Sequence, residues 1–298
     1  MNAWLVINDV MKNNKFTDIY NKLKEGAKKH KVSLKEYTNV ELLSKLKIVD
    51  GEIKLEITER PAFILFWDKD VFLASLLESL GFKVYNAAKS IEICDNKALT
   101  IKALLAKKIR MPKTFFSPLL FSEHGQIPDY FWQDVIKELG FPFVIKECYG
   151  SFGEQVYLVK KEEEILACLK KIKNRPFIIQ EYIKTSKGRD VRVYTVNKKA
   201  VAAILRTNEL DFRANYGPGA KAKAYHLNDK FLKMAEKVAN YLELDFGGID
   251  ILFGENEEPI FCEANSNAHF RKLEDCTGID IGDKIIRTCI KCQEKEDC

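Results

Sequence analysis

The chain has 298 residues, of which 46% are hydrophobic and 31% are charged, and its formal net charge is +5. This is an ordinary globular composition at a length that exceeds one typical domain. The lysines and arginines are scattered, which argues against dedicated nucleic-acid binding, and the longest apolar runs are strand-sized, so no membrane-spanning helix is expected. Because no basic leader precedes the first apolar run, a cytoplasmic location is the default expectation.

The first region, residues 1–94, alternates apolar runs that are typical of buried strands with segments of helical periodicity. The expected strands are 3–8, 62–67 and 82–85, and the expected helices are 16–27 and 70–80. An Asp-Gly pair at Asp50 indicates a peripheral hairpin between them. Strands that alternate with helices predict a small parallel sheet of the β-α-β type, an α/β domain.

The second region, residues 95–185, predicts an α+β arrangement with helices on one side of its strands. Its first helix is expected to begin at Asp95, a favourable N-cap residue, and to end before Pro112. The remaining helices are expected at 130–139 and 162–173, and the strands at 141–147, 156–160 and 177–183.

The third region, residues 186–298, is richer in strands. The expected elements are a hairpin of strands 190–196 and 200–207, a long polar loop at 209–223, a helix at 230–242, a second hairpin within 246–265 and a last helix at 279–289. Long loops inside compact domains are more often functional than accidental, so the loop is a candidate for ligand binding.

Eight cysteines are present, and three of them, Cys289, Cys292 and Cys298, lie close together near the carboxyl end. A structural zinc site would need a fourth ligand, which this segment does not offer. Free thiols are therefore the favoured interpretation here, and the isolated cysteines elsewhere are typical of reduced thiols.

The hairpin FGGIDILFGENEEPIFCEAN, residues 246–265, carries polar side chains that its apolar pattern does not require. If its turn centres between Asn256 and Glu257, Asp250 faces Glu263, and Asn265 points to the same side of the sheet. Like charges placed opposite each other are destabilising, so a cation is expected between them. Oxygen ligands favour Mg²⁺ or Mn²⁺ over zinc, although a solvated polar face explains the spacing equally well.

Three further motifs could serve an anionic ligand, and each also has an ordinary structural explanation. The loop YGSFGEQ, with Lys146 before it, could bring backbone N–H groups close to phosphate, or it could simply join two strands. Gln180 and Glu181 end an apolar strand whose edge could bind adenine and ribose. Arg206 is expected opposite residues 190–192 of a hairpin, where Asp190 and Arg192 lie on one face; a surface salt bridge is the alternative.

From residue 96 to residue 286 the chain resembles the ATP-grasp ligases, specifically the RimK-like α-L-glutamate ligases. The matching motifs, in the family's order and spacing, are DNK from Asp95, VIK ending at Lys146, GSFG from Gly150, QEYI from Gln180, GRDVRV from Gly188, AAILR ending at Arg206, DFRAN from Asp211, GGIDIL from Gly247, CEAN ending at Asn265 and TGIDI from Thr277. The resemblance implies an ATP-grasp fold in which a pre-ATP-grasp domain, 1–94, precedes two α+β subdomains that clamp ATP. The glycine loop would belong to 95–185 and the metal site to 186–298.

The resemblance also implies roles for individual residues. ATP would contact Lys97, Lys146, Ser151, Gly153, Gln180, Glu181, Tyr182, Ile183, Asp190, Arg213 and Asn215; the catalytic arginines would be Arg192, Arg206 and Arg213; and two Mg²⁺ or Mn²⁺ ions would be held by Asp250, Glu263 and Asn265. A substrate carboxylate would take the γ-phosphate of ATP to give an acyl phosphate, and an amine would then displace phosphate to form an amide. Arg206 is the candidate for stabilising the acyl phosphate or the tetrahedral intermediate.

The implied partners are ATP, an acid substrate and an amino acid such as L-glutamate as the amine, with a small molecule, peptide or protein tail as acceptor. No nucleic acid or membrane is expected, and homo-oligomers are common in the resembled family. The alternatives are a peptide-modifying ligase that makes crosslinks, and a nucleotide-binding module without ligase activity. The intact set of metal ligands argues against the binding module.

Two departures from the family pattern bear on substrate choice. The glycine loop has Glu154 and Gln155 where the family has a third glycine, and residues 266–270 read SNAHF where the family usually has Ser-Pro-Gly. His269 is therefore a hypothesis for substrate contact or proton transfer, against a purely structural role.

Overall fold

The apolar runs of the first region form a parallel sheet of four strands. The computed structural model describes residues 1–11, 14–122 and 126–296 of the chain. The first sheet has the order β2-β1-β5-β6, with β1 (Asn2–Ile7), β2 (Ser33–Thr38), β5 (Phe63–Trp67) and β6 (Val84–Tyr85). β1 and β5 are buried almost throughout, as central parallel strands are. The β-α-β prediction is confirmed; β2 was missed because its SLKEYT sequence is polar and largely exposed.

The helices and the hairpin of this region pack around the first sheet. They are α1 (Asn14–Lys29), α2 (Asn39–Lys45), α3 (Val71–Ser79) and the antiparallel pair β3 (Leu46–Val49) and β4 (Glu52–Leu55). The peripheral hairpin is thus confirmed, with Asp50 and Gly51 at its turn. Asp70 caps α3 by accepting a hydrogen bond from the backbone N–H of Leu73 at 2.9 Å.

The helix expected to start at Asp95 corresponds to α5 (Lys97–Leu104) and is shorter than expected, and another helix, α4 (Ala88–Asp95), ends where it was expected to begin. The sequence did not predict α4, whose last residue is Asp95. Asn96 is the N-cap of α5, since its side chain accepts hydrogen bonds from the N–H groups of Ala98 and Leu99. The assignment of Asp95 as the cap was wrong by one residue, because Asp and Asn both favour that position.

The second sheet is antiparallel and has the order β7-β10-β8-β9. Its strands are β7 (Thr114–Phe116), β8 (Phe143–Glu147), β9 (Val156–Val159) and β10 (Phe177–Glu181), and α6 (Asp129–Leu139) and α7 (Glu163–Ile172) pack on it. Trp132, Val135 and Ile165 of these helices meet the apolar side chains of the strands, which confirms the α+β prediction. β10 lies inside the sheet, so the expectation that it offers a free edge was wrong.

The third sheet has the order β13-β12-β11-β14-β15. Its strands are β11 (Arg189–Val196), β12 (Lys199–Thr207), β13 (Lys221–Ala224), β14 (Phe246–Phe253) and β15 (Pro259–Asn265), with helices α8 (Asp229–Tyr241), α9 (Arg271–Thr277) and α10 (Ile281–Glu296). The predicted long loop is shorter than expected, because its last residues pair with β12 as β13. α9 was not predicted.

The two ends of the sequence share one apolar core. Ile281 and Ile285 of α10 are buried with Ile19 and Leu23 of α1 and with residues of the first and third sheets. The ring of Trp67 also stacks on Phe246, with 5.4 Å between ring centroids. The carboxyl ends of β1 and β5 are thereby held next to the hairpin of β14 and β15. The division of the chain at residues 94 and 185 stays a prediction.

Two expectations from the sequence, on membrane-spanning helices and on the carboxyl-terminal cysteines, can be compared with the described residues only. No helix in the described ranges is both long and apolar enough to cross a lipid bilayer. Cys289 is buried on α10, where burial raises the pKa of its thiol well above the usual value. Cys298 lies outside the described residues, so the three-cysteine cluster is not described as a whole.

Candidate active site

The register of the β14–β15 hairpin places the predicted metal ligands together. Asp250 faces Glu263, as predicted, Gly248 faces Asn265, and a bulge after Asp250 shifts the pairing closer to the turn. Gly248 gives room to the site, since a Cβ atom there would lie 2.7 Å from the Cβ of Ala268 and 3.5 Å from Nε of Arg192. A glycine is therefore required where Ala268 and Arg192 approach the hairpin, which presents two carboxylates and an amide beside this contact.

A cleft of about 770 Å³ opens between the second and third sheets, and we call it the intersheet cleft. It is lined by strands of both sheets and by the loop that follows β12. Of the residues predicted from the sequence, it brings together Lys146, Gly153, Gln180, Glu181, Tyr182, Ile183, Asp190, Arg206, Arg213, Asn215, Asp250 and Glu263.

One buried polar atom in the intersheet cleft has no hydrogen-bond partner among the described residues. Gln180 is 3% exposed, and its Nε2 donates to Thr114 Oγ1 at 3.0 Å, but its Oε1 accepts from no group. A buried acceptor left unpaired is costly, so a ligand donor is the expected partner. The exocyclic amino group of adenine is such a donor, and the residues of the cleft fit a nucleotide in this respect.

Two arginines neutralise Asp250. Arg192 donates to both of its carboxylate oxygens, each at 2.7 Å, and Nη2 of Arg206 lies 2.9 Å from Oδ2. Arg206 is 7% exposed and also holds Asp190 through two hydrogen bonds of 2.6 and 2.7 Å. Burial opposes ionisation of Asp250, but the two guanidinium groups outweigh it and lower the pKa to about 2. Arg206 is thus a buried bridge between two carboxylates.

The side chains of Asp250, Glu263 and Asn265 fit a magnesium ion by their donor atoms. Glu263 accepts a hydrogen bond from Asn265 Nδ2 at 2.9 Å, and a carboxylate has about four acceptor positions, so most of them remain open. Burial raises the pKa of Glu263, but the charges of Lys97 and Lys146 and the hydrogen bond from Asn265 together outweigh it, and the pKa lies below its ordinary value. The described residues include no group of three or more His, Cys, Asp or Glu side chains that could hold a metal ion, and the donor set here has two carboxylates and one amide. Oxygen donors of this kind suit Mg²⁺.

The glycine loop between β8 and β9 is braced from two sides. Arg213 donates to the carbonyl oxygen of Gly153 at 2.6 Å and is itself held by Asp211, with 2.8 Å between Nη2 and Oδ2. On the other side, Lys69 Nζ donates to Ser151 Oγ at 3.1 Å and pairs with Asp95. Lys69 belongs to the first region, so the loop is tied to the amino-terminal sheet. Arg213, predicted as catalytic, supports the loop in this structure.

A second space of about 1030 Å³, the amino-terminal cavity, lies between the first sheet and the β14–β15 hairpin. Of the predicted residues, Ser151, Arg192, Asn215, Glu263, Asn265 and His269 line it. The ring of His269 contacts Phe16 and Phe152, with centroid distances of 4.6 and 5.8 Å. Lys97 lines a narrow gap with Asp95 and Glu263, and its Nζ is 3.5 Å from the carbonyl oxygen of Gly150. Glu263 borders all three spaces.

Sequence reasoning missed several residues that line these spaces. Asn8, Asp68 and Lys69 all border the amino-terminal cavity. A signal for them was present, because each follows a buried parallel strand, and ligands bind beyond the carboxyl ends of such strands. Cys262 was also missed; it lies between the intersheet cleft and the gap at Lys97, with its Sγ 3.7 Å from Lys146 Nζ. Burial raises the pKa of its thiol to about 11, which favours the protonated form.

The chain matches a protein-family model and is similar in sequence to known proteins. Residues 94–289 match the family model of the RimK-like ATP-grasp domain. An uncharacterized protein of Mycoplasma genitalium is 38% identical over 213 residues, which cover 70% of this chain and 74% of that protein. Human N-acetylaspartylglutamate synthase A is 29% identical over 218 residues, or 72% of this chain and 54% of the synthase.

A solved structure extends the similarity to the whole chain. The D-alanine–D-alanine ligase of Bacillus anthracis superposes with a TM-score of 0.76, covers 99% of both chains and is 19% identical. That identity establishes the shared fold alone. The ATP-grasp fold expected from the sequence is confirmed, and it includes the amino-terminal β-α-β region. Together with the family match, this shows that the chain belongs to the RimK-like ATP-grasp family of ATP-dependent ligases.

Proposed function

We propose that this ligase joins a carboxylic acid to an amino acid, with L-glutamate as the first candidate for the amine, through an acyl-phosphate intermediate. The acceptor would be a small molecule, a peptide or a protein carboxyl terminus. One observation carries the proposal: the nucleotide-fitting cleft and the amino-terminal cavity meet at the metal-ligand hairpin, where Glu263 borders both. Such a junction lets a nucleotide from one side and an acid from the other meet at one point.

The residues of the intersheet cleft would position ATP. Gln180 would accept a hydrogen bond from the adenine amino group, and Lys146 and Lys97 would neutralise phosphate oxygens. Glu181 lies at the exposed end of β10 and would bind a ribose hydroxyl. Mg²⁺ held by Asp250, Glu263 and Asn265 would neutralise charge on the phosphoryl group that is transferred.

The proposed reaction requires ATP, Mg²⁺, an acid and an amine, and no further cofactor. A carboxylate oxygen of the acid bonds to the γ-phosphorus, and the bond from that phosphorus to the leaving ADP oxygen breaks. The nitrogen of the amine then attacks the carbonyl carbon, loses a proton and displaces inorganic phosphate. Arg192 faces the amino-terminal cavity and is placed to neutralise the acyl phosphate, whereas Arg206 holds Asp190 and Asp250 in place.

The purified protein, incubated with ATP, Mg²⁺ and a panel of acids and amines, tests the proposal. We expect ADP, phosphate and a new amide, detected by mass spectrometry, only when both an acid and an amine are present. Replacing Glu263 by Gln should abolish the product, whereas replacing Glu255 by Gln, an exposed residue at the turn of the same hairpin, should not. ADP release that needs no acid, or equal activity of the two variants, would contradict the proposal.

A further inference from the structure

A buried carboxylate lies at the far end of the amino-terminal cavity. Asp68 directly follows β5, is 6% exposed and borders the cavity. It accepts hydrogen bonds from Asn8 Nδ2 at 3.1 and 3.3 Å and from the backbone N–H of Lys69 at 2.7 Å. These neutral donors fix the orientation of the carboxylate.

No lysine, arginine or histidine forms an ion pair with Asp68 in the described ranges. Its neighbour Lys69 points elsewhere, to Asp95 and Ser151. Burial raises the pKa of Asp68 as a consequence of this environment. Because an isolated buried charge is expensive, a cationic ligand group would stabilise the site.

The rest of the amino-terminal cavity is arranged around this charge. The aromatic side chains of Phe16, Tyr20 and Trp67 line it, and aromatic faces favour an ammonium group. At the third sheet the cavity is bordered by Arg192 of β11, whose guanidinium also binds Asp250, and by Glu263 and Asn265 of the β14–β15 hairpin. The cavity thus has the carboxylate of Asp68 on the side of the amino-terminal sheet and, on the side of the third sheet, the guanidinium of Arg192 beside the carboxylate of Glu263.

We propose that the amino-terminal cavity binds the acid substrate as an amino acid, with its ammonium group on Asp68 and its carboxylate directed to Arg192. This inference rests on the proposed function and narrows its acid substrate to compounds that carry a free amine. An acid whose amine is acylated would bring a neutral amide to a buried carboxylate and would be rejected, since a site built for a charged donor discriminates strongly against its absence.

Hydroxylamine can take the place of the amine substrate and converts the acyl phosphate into a hydroxamate. An assay with hydroxylamine therefore reports which acid the protein uses, whatever its natural amine. We would supply ATP, Mg²⁺ and hydroxylamine with each of the common amino acids and, in parallel, with its N-acetyl derivative. We expect hydroxamate from at least one free amino acid at a kcat/KM at least tenfold above that of its acetylated partner. Equal or better use of the acetylated partners would overturn the proposal.

Replacing Asp68 by Asn tests the residue itself, and the same change at Asp70 is the matched control. Asp70 caps α3 outside the cavity, and Asn also favours a cap, so this variant should behave as the unaltered protein. Asp68→Asn should lower kcat/KM for the free amino acid at least tenfold and leave KM for ATP within twofold. An unchanged preference for free amines in Asp68→Asn would overturn the assignment.

Calorimetry with the same pairs of compounds, in the presence of ADP and Mg²⁺, does not depend on turnover. If no hydroxamate forms from any acid, the proposed ligase reaction fails, but a free-amine preference that Asp68→Asn abolishes would still support the binding site. If no compound binds better than its acetylated partner, the site is not as proposed, whatever the activity.

Discussion

Arg206 donates hydrogen bonds to Asp190 on the neighbouring strand and lies 2.9 Å from Asp250 on the strand beyond it. The three side chains come from the adjacent strands β12, β11 and β14 and line the intersheet cleft. Burial lowers the pKa of a guanidinium, but the two carboxylates outweigh this effect and raise the pKa of Arg206. Its charge is therefore fixed, and the two buried carboxylates depend on it.

Replacing Arg206 by Met should destabilise the protein by about 3–5 kcal/mol, because it leaves the buried Asp190 without its partner and Asp250 with only one of its two arginines. Urea unfolding monitored by circular dichroism measures the change. Lys199→Met is the control on the same strand, because the pair of Lys199 with Glu236 is exposed and should contribute less than about 1 kcal/mol. Similar losses in the two variants would show that the bridge is unimportant.

Replacing Gln180 by Met should raise KM for ATP by about 2–15-fold, the range expected for one net hydrogen bond. KM for inosine triphosphate, whose base lacks the amino group, should hardly change. Thr114→Val removes the hydrogen bond to Gln180 Nε2 and leaves Oε1 in place, so it should preserve the preference for ATP. An equal effect of Gln180→Met on both nucleotides would place the adenine elsewhere.

Gln155 accepts a hydrogen bond from the backbone N–H of Ser151 at 3.2 Å, and its side chain fills the space beside Gly150. A backbone donor in the glycine loop is thus occupied where the family pattern has a glycine. Gln155→Ala should free this donor for phosphate and lower KM for ATP several-fold, as measured by steady-state kinetics. The same change at the neighbouring Glu154 is the control. A higher KM in Gln155→Ala would mean that the loop needs this brace.

Asp245, next to β14, should make stability depend on pH. Burial raises the pKa of its carboxyl to about 6, from an ordinary value of 3.8. The folded state thus disfavours the ionised form, so the contribution of this group to stability is fully present below pH 3.8 and declines as the pH rises through 6. Asp245→Asn should remove this decline and stabilise the protein at pH 7 by about 1–3 kcal/mol. Urea unfolding at several pH values between 4 and 8 tests it, and parallel curves for the two proteins would contradict it.

His269 packs between the rings of Phe16 and Phe152 at the wall of the amino-terminal cavity. His269→Gln should lower turnover several-fold and leave KM for ATP within about twofold, because the intersheet cleft does not include this residue. The exposed His226 supplies the control variant, His226→Gln. Stopped-time ADP assays measure both, and unchanged turnover in His269→Gln would leave His269 a structural role only.

The register of the metal-ligand hairpin could be predicted because it depends on local pattern. Alternating side chains and a polar turn fixed Asp250 opposite Glu263, and the bulge after Asp250 did not alter that pair. The pairing of Asp190 with Arg206 followed in the same way from a short turn. The contact of Arg206 with Asp250 could not be predicted, since it requires β11 to lie between β12 and β14, and the hairpins alone do not determine that order.

The amino-terminal side of the site was beyond prediction for a related reason. Asp68 and Lys69 stand at the end of a recognisable parallel strand, but only tertiary packing brings that end to the metal-ligand hairpin. Short elements such as β2, β13 and α9 were missed because their polar sequences carry little periodicity. Whether a charged side chain forms an ion pair depends on which distant strands pack beside it, and the residue type alone does not show this.

The shared core of α1 and α10 has a consequence for how the chain reaches its folded state. His30 directly follows α1, and its Nε2 lies 2.7 Å from Oδ1 of Asp283 on α10, although 253 positions separate the two residues in the sequence. Contacts of such long range form late and slow folding. Until α10 docks, the apolar side of α1 and of the first sheet stays uncovered and prone to aggregation. Docking of α10 therefore completes the core that supports the amino-terminal wall of the amino-terminal cavity.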